Sequence, residues 1–165
     1  MIRTCKLTLL CLSLLCFSAQ AAAEPRVSQL TPVDLEFMQN QRLSIDELAR
    51  SHFGQQINGD KANDLSIIQK LLDRGVIDAE QTLELQALGL VLGDLLAADL
   101  GMVWVIYEDK LGRSRALRMP KTDYYLFPVT MIARRVEADA PVDALAVYDK
   151  AYQLTLPHKP ALPFQ

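Results

Sequence analysis

The spacing of apolar and polar positions divides the chain into a run of helices, a short block of strands and a second run of helices. Leu35, Met38, Ile45, Leu48 and His52 recur at intervals of three, four and seven, which marks one face of an amphipathic helix reaching about Phe53. Thr31-Pro32-Val33-Asp34 starts it with a capping hydroxyl, a proline at the first helical position and an acid in the first turn. Ser44-x-x-Glu47 has the form of a second capping box, so the spacing leaves a break there open. After Gly54 and the turn Asn58-Gly59-Asp60, a second helix opens at Asn63 or Asp64, turns Leu65, Ile68, Leu71 and Leu72 inward, and closes at Gly75.

The third helix carries the most apolar run. Asp78-x-x-Gln81 resembles a capping box with Asp as the cap, and Leu85, Leu88, Leu92, Leu95 and Leu96 are dense enough for the helix to be largely surrounded. Gly89, Gly93 and Ala97 recur every four residues and form a flat stripe. Each interior glycine costs about 1 kcal/mol of helix propensity relative to alanine. Close approach of another helix or of the sheet accounts for such a stripe. Room for a ligand is the alternative, but no Gly-rich phosphate loop follows a strand here.

Gly101 ends that helix, and Met102 to Tyr107 is the best strand in the chain, being β-branched and aromatic. Glu108 to Gly112 forms the turn and Arg113 to Met119 the returning strand. A second turn at Pro120–Asp123 leads to a short third strand, Tyr124–Phe127. Pro128 then starts a helix to Glu137, and Asp139-Ala-Pro141 separates it from a last helix, Val142 to Tyr152.

The two ends read differently from the middle. Arg3 and Lys6, the apolar run Leu7–Phe17 and the small residues Ala19-Gln20-Ala21-Ala22-Ala23 follow the order of a secretory signal peptide over 1–23, cleaved after Ala21 or Ala23. Its apolar run is too short for a permanent membrane helix. Glu24 to Leu30 has no periodicity and is expected to be a mobile arm, while Pro157, Pro160 and Pro163 predict an extended, flexible tail over 157–165.

Cleavage changes the composition. Cys5, Cys11 and Cys16 all lie in the leader, so the mature chain would hold no disulfide, thiolate ligand or thiol nucleophile. Leu15 stands before Cys16 where a lipoprotein signal needs a small residue, which favours a soluble periplasmic or secreted product. Of 17 basic residues, loss of Arg3 and Lys6 leaves 15 against 20 acidic, a formal charge of −5. Such a surface argues against nucleic acid as a partner.

Several longer strings resemble a known family. They are Asp64 to Asp73, Leu85-Gln-Ala-Leu-Gly89, Trp104 with Tyr107-Glu-Asp109, Gly112 to Leu117, and Tyr125 to Arg135. Over about 51–148 the chain resembles an uncharacterised bacterial family catalogued as domain of unknown function 3806. The resemblance implies a shared domain and brings no reaction, ligand or cofactor with it.

Few residues suggest chemistry. His52 and His158 stand in no metal-spacing or triad-like context, so neither a metal nor a cofactor is implied; His52 reads as partly buried or capping and His158 as solvated. Asp94, Asp99, Glu108 and Asp109 could supply a carboxylate pair near the helix–hairpin junction, although turn and ion-pair roles explain them more simply. The arginines are more informative. Arg113 and Arg115 share a strand face, with Lys121 nearby and Arg134-Arg135 on the next helix. Such a group can clamp a carboxylate or phosphate, or pair internally with Asp94, Asp99 or Asp109, and the internal reading is favoured in an acidic chain. Trp104 reads as a core anchor more than as an exposed stacking platform.

Together these elements predict one α+β domain over 24–156, with three or four helices on an about three-stranded antiparallel meander and C-terminal helices after the sheet. For function, the sequence points to an exported binding module working through Trp104, Arg113, Arg115, Arg134 and Arg135. Its expected partner is another envelope protein or a small anionic ligand. A small metal-independent hydrolase using Asp94, Glu108 or His52, and a purely structural envelope protein, are the alternatives.

Overall fold

The run of leucines after Gln81 dictates the arrangement. Helix Thr82–Leu100 buries eleven residues on all sides, so a single apolar stripe cannot describe it and neighbours must enclose it. In the computed structural model, which describes residues 24–160, four other helices and a four-stranded sheet do so. In chain order they are β1 (Arg26–Ser28), α1 (Pro32–Phe53), α2 (Lys61–Asp73), α3 (Thr82–Leu100), β2 (Val103–Asp109), β3 (Gly112–Arg118), β4 (Tyr125–Leu126), α4 (Ala133–Glu137) and α5 (Ala144–Thr155). The class is α+β. No helix among the described residues is long and apolar enough to cross a membrane. The expected leader and its expected cleavage point lie outside the described residues, as does the chain beyond Pro160.

The glycine stripe is a close-approach surface. A Cβ at Gly89 would stand 2.4 Å from the carbonyl oxygen of Val129 and 2.6 Å from that of Pro128. One at Gly93 would stand 2.5 Å from the Trp104 ring. The propensity lost at both positions is thus the condition for seating the Pro128 turn and the β2 tryptophan against α3.

The sheet has the order β1-β2-β3-β4 and is antiparallel throughout. Glu24–Leu30, expected to be a mobile arm, instead contributes β1, in which Val27 pairs with Tyr107. Three residues carry too little periodicity to announce a strand; the free edge of β2 supplies the partner. The sheet therefore has four strands where about three were expected. Register fixes which backbone groups are used. Asp109 pairs with Gly112 across the two-residue Lys110-Leu111 turn, so alternate β3 residues Gly112, Ser114, Ala116 and Arg118 bond to β2. Arg113, Arg115 and Leu117 point their backbone groups the other way, and β4 meets only Leu117 among these three.

Other boundaries differ from the sequence reading for local reasons. Helix α1 runs unbroken through Ser44, whose hydroxyl donates to the Gln41 carbonyl from inside the helix. Asp60 caps α2 by accepting from the Asn63 amide, so the helix begins at Lys61 rather than at Asn63 or Asp64. Asp64 is buried there and accepts from the Asn58 and Gly59 amides. Only half of the Asp78 box forms: the Gln81 side chain accepts from the Asp78 amide, and α3 starts at Thr82. The single helix expected after Pro128 is a 3-10 turn, Pro128–Thr130, followed by the short α4. Asp143 caps α5 by accepting from the Ala146 amide, so that helix starts at Ala144. The tail does not leave the domain at once. Leu156–His158 form a 3-10 turn, and His158 stacks on Tyr124 with ring centroids 3.8 Å apart.

Gly89→Ala is expected to lower stability by about 1–3 kcal/mol despite alanine's better helix propensity, because the new methyl meets backbone rather than a yielding side chain. Urea denaturation of the two proteins measures this; a Gly89→Ala variant as stable as the parent would show that the Pro128 turn is not held there.

Candidate functional site

The capping box that starts α1 also starts the site. Asp34 accepts from the Thr31 amide at 3.0 Å while the Thr31 hydroxyl accepts from the Asp34 amide at 3.2 Å. The box fixes the carboxylate in a buried position, 3% exposed, beneath the β2–β3 hairpin. Two guanidinium groups reach it. Arg113 Nη2 lies 2.6 Å from one carboxylate oxygen and Arg115 Nη2 lies 3.2 Å from the other. Hydrogen bonding from Arg113, joined by the Thr31 donors, outweighs burial and holds the Asp34 carboxyl far below the usual carboxylate range. The same bond raises the Arg113 pKa. Arg115 also lies over the Phe37 ring, 4.3 Å from its centroid.

Internal pairing of Arg113 and Arg115 is therefore present, but with Asp34 rather than with the Asp94, Asp99 or Asp109 anticipated from the sequence. Asp34 had shown itself only as a first-turn acid. Its signal was the Thr31-x-x-Asp34 box, which identifies a fixed carboxylate without telling what it will meet 79 residues later. Two guanidinium groups share Asp34, and Glu108, directly opposite Arg113 in the β2–β3 register, adds a second carboxylate on the Arg113 side.

Both arginines line a groove. Beyond the end of β4, a cavity of about 520 Å³ opens along β3 between Arg113, Ser114 and Arg115 on one side and Gln86, Thr130 and Arg134 on the other. Tyr107 and Phe127 close its outer face, with ring centroids 5.3 Å apart at 87°. A second depression of about 300 Å³ adjoins it through Phe127, Thr130 and Arg134, and has Arg135 on its wall. Arg134 is exposed and forms no salt bridge among the described residues, whereas Arg135 donates to the Met131 carbonyl oxygen. Four of the five sequence candidates thus lie around two joined hollows. Asp109 is the carboxylate on the groove wall.

Trp104 lies elsewhere. Its ring sits against Gly93 and its indole N–H donates to Asp94 at 2.9 Å, so it anchors β2 to α3 and offers no stacking platform in the groove. Asp94 is also held by Arg42, through bonds of 2.5 and 2.9 Å. The carboxylate and imidazole candidates do not converge. Glu108 is an exposed strand residue, and His52 is exposed at the end of α1 rather than partly buried. Asp99 accepts from the Tyr148 hydroxyl and pairs with Lys61 at 3.1 Å. The tyrosine bond lowers the Asp99 pKa, while burial, reinforced by Asp99, raises that of Tyr148; the pair is a helix-to-helix fastening between α3 and α5. Among the described residues no three His, Cys, Asp or Glu side chains gather as metal ligands.

Known proteins resemble this chain in fold and in one family pattern. A family model described as Domain of unknown function (DUF3806) matches residues 64–148, slightly more than half of the chain. A crystal structure of a protein from Bacteroides thetaiotaomicron VPI-5482 is similar with a TM-score of 0.70 and 18% identity, which bears on fold alone. The likeness covers 79% of this chain and 48% of that one, so this chain spans about half the length of its structural relative. No curated protein matches.

Asp34→Asn is expected to cost about 2 kcal/mol at neutral pH, since it leaves two arginines without their anion while the partly exposed Arg113 regains water. A carboxyl whose pKa is depressed on folding stabilises above its unfolded value and loses that contribution as pH falls toward the folded one. The gap between the two proteins should therefore hold at higher pH and narrow below about 3.8, the ordinary Asp value. Thermal denaturation across that range checks it; a gap independent of pH would remove the ion pairs as its cause.

Proposed function

Because the chain belongs to the DUF3806 family, whose description assigns no reaction, we propose from the geometry that it is an exported, non-enzymatic binding module. Its groove beside β3 receives an anionic group of another envelope protein. One observation carries this reading: Arg113, Arg115 and Arg134 converge on one groove in a chain of net charge −3. Its volume falls within the range of about 300–1,000 Å³ in which proteins hold ligands. Asp34 keeps two of the guanidinium groups in place before any ligand arrives, which lowers the ordering cost of binding. Tyr107 and Phe127 add apolar area beside the charge.

The competing readings have less support. Asp94, Glu108 and His52 share no cavity, so the hydrolase constellation is not assembled. A purely structural role gives no reason for an arginine-lined groove. Export rests on the leader pattern of residues 1–23.

Calorimetric titration with hexaglutamate should show binding that weakens as salt rises, and Arg134→Glu should reduce affinity about tenfold through charge reversal at the groove. Equal affinities would take the groove out of the proposal. For export, the full chain expressed in a Gram-negative host should appear in the periplasmic fraction with Ala22 or Glu24 as its first residue by mass spectrometry. A cytoplasmic product retaining Met1 would contradict it.

A further inference from the structure

The groove wall is more than a row of side chains. Register places the backbone N–H and C=O groups of Arg113 and Arg115 on the side of β3 away from β2. Strand β4 uses the next pair of such groups, at Leu117, and stops at Leu126. Continued by two residues, the same register would set Pro128 opposite Arg115. Proline has no N–H to give, and its carbonyl already accepts from Met131 in the 3-10 turn. No strand among the described residues therefore pairs with β3 at Arg113 and Arg115; the Pro128–Thr130 turn packs near β3, and the groove runs between it and this unpaired edge.

We infer that this edge takes an added antiparallel strand: an extended peptide of a partner protein in which two acidic residues flank one apolar residue. This deepens the proposed anion-binding role and rests on it. In an antiparallel ladder, residues opposite Arg113 and Arg115 project on the same face as those guanidinium groups, so both should be Asp or Glu. The residue between them opposes Ser114 and projects to the other face, beside Tyr107 and Phe127, so it should be apolar or aromatic. Backbone bonding supplies affinity and the alternation supplies selection, as in other strand-addition complexes. The arginines guard the edge as well. Charged side chains on an open edge discourage indiscriminate pairing, and an acidic strand turns that repulsion into attraction.

The test uses the full chain and the capped peptide Ser-Thr-Glu-Phe-Glu-Thr-Ser, together with a copy N-methylated at both glutamates. N-methylation keeps every charge but removes the two N–H groups that would bond to β3. The unmodified peptide should bind, slow hydrogen exchange at the Arg113 and Arg115 amides in NMR spectra, and lose about tenfold in affinity on N-methylation. Equal affinity of the two peptides without amide protection would overturn strand addition and leave the anion-binding role standing. Binding of hexaglutamate but not of the alternating peptide would also overturn it. Failure of all three probes would remove both proposals.

Discussion

Enclosure of α3 is the constraint from which the rest follows. A helix that buries Leu85, Leu88, Leu92, Leu95 and Leu96 has no side to give to water, and each of these side chains contributes about 1.5–3 kcal/mol only if something covers it. α1, α2 and α5 do so from the helical side, while Trp104, Leu117 and Leu126 do so from the sheet. The glycines make the sheet side possible. With Gly93 the indole of Trp104 can lie against the helix and still reach Asp94, and with Gly89 the carbonyls of Pro128 and Val129 can approach the helix backbone.

Pro128 joins this packing to the groove. Its turn presses on Gly89, yet the same residue ends the pairing of β4 with β3, because it brings no amide to the ladder. A longer β4 would cover the backbone of Arg115 and fill the site. A looser Pro128 turn would leave α3 uncovered. Core and groove are thus two consequences of where one proline stops a strand.

Asp34 performs a similar junction at the other end of the hairpin. It caps α1, where a first-turn carboxylate is favoured by the helix dipole, and offers both oxygens to arginines of β3. Burying that carboxylate without partners would be costly; with two cations it is stable. The anion comes from outside residues 64–148, which hold both arginines. The first helix therefore completes a site whose cations lie in the family-matched segment.

Much of the scaffold was legible in the chain itself. Periodicity located α1, α2, α3 and α5, the β-branched run gave β2 with its hairpin, and the spacing of Gly89 and Gly93 announced a close neighbour. Those features are local, governed by the 3.6- and 2-residue periods and by what glycine and proline permit. Arg113, Arg115, Arg134 and Arg135 could likewise be picked out as unusual cations in an acidic chain. The tertiary structure alone decided their company. It paired the first two with Asp34, fastened Arg135 to Met131, left Arg134 at the groove and sent Trp104 into the α3 interface. It also made a strand of Arg26–Ser28 and an unpaired edge of Arg113–Arg115. These outcomes depend on contacts between residues far apart in sequence, where no local period carries information and only the packing of whole elements fixes which groups meet.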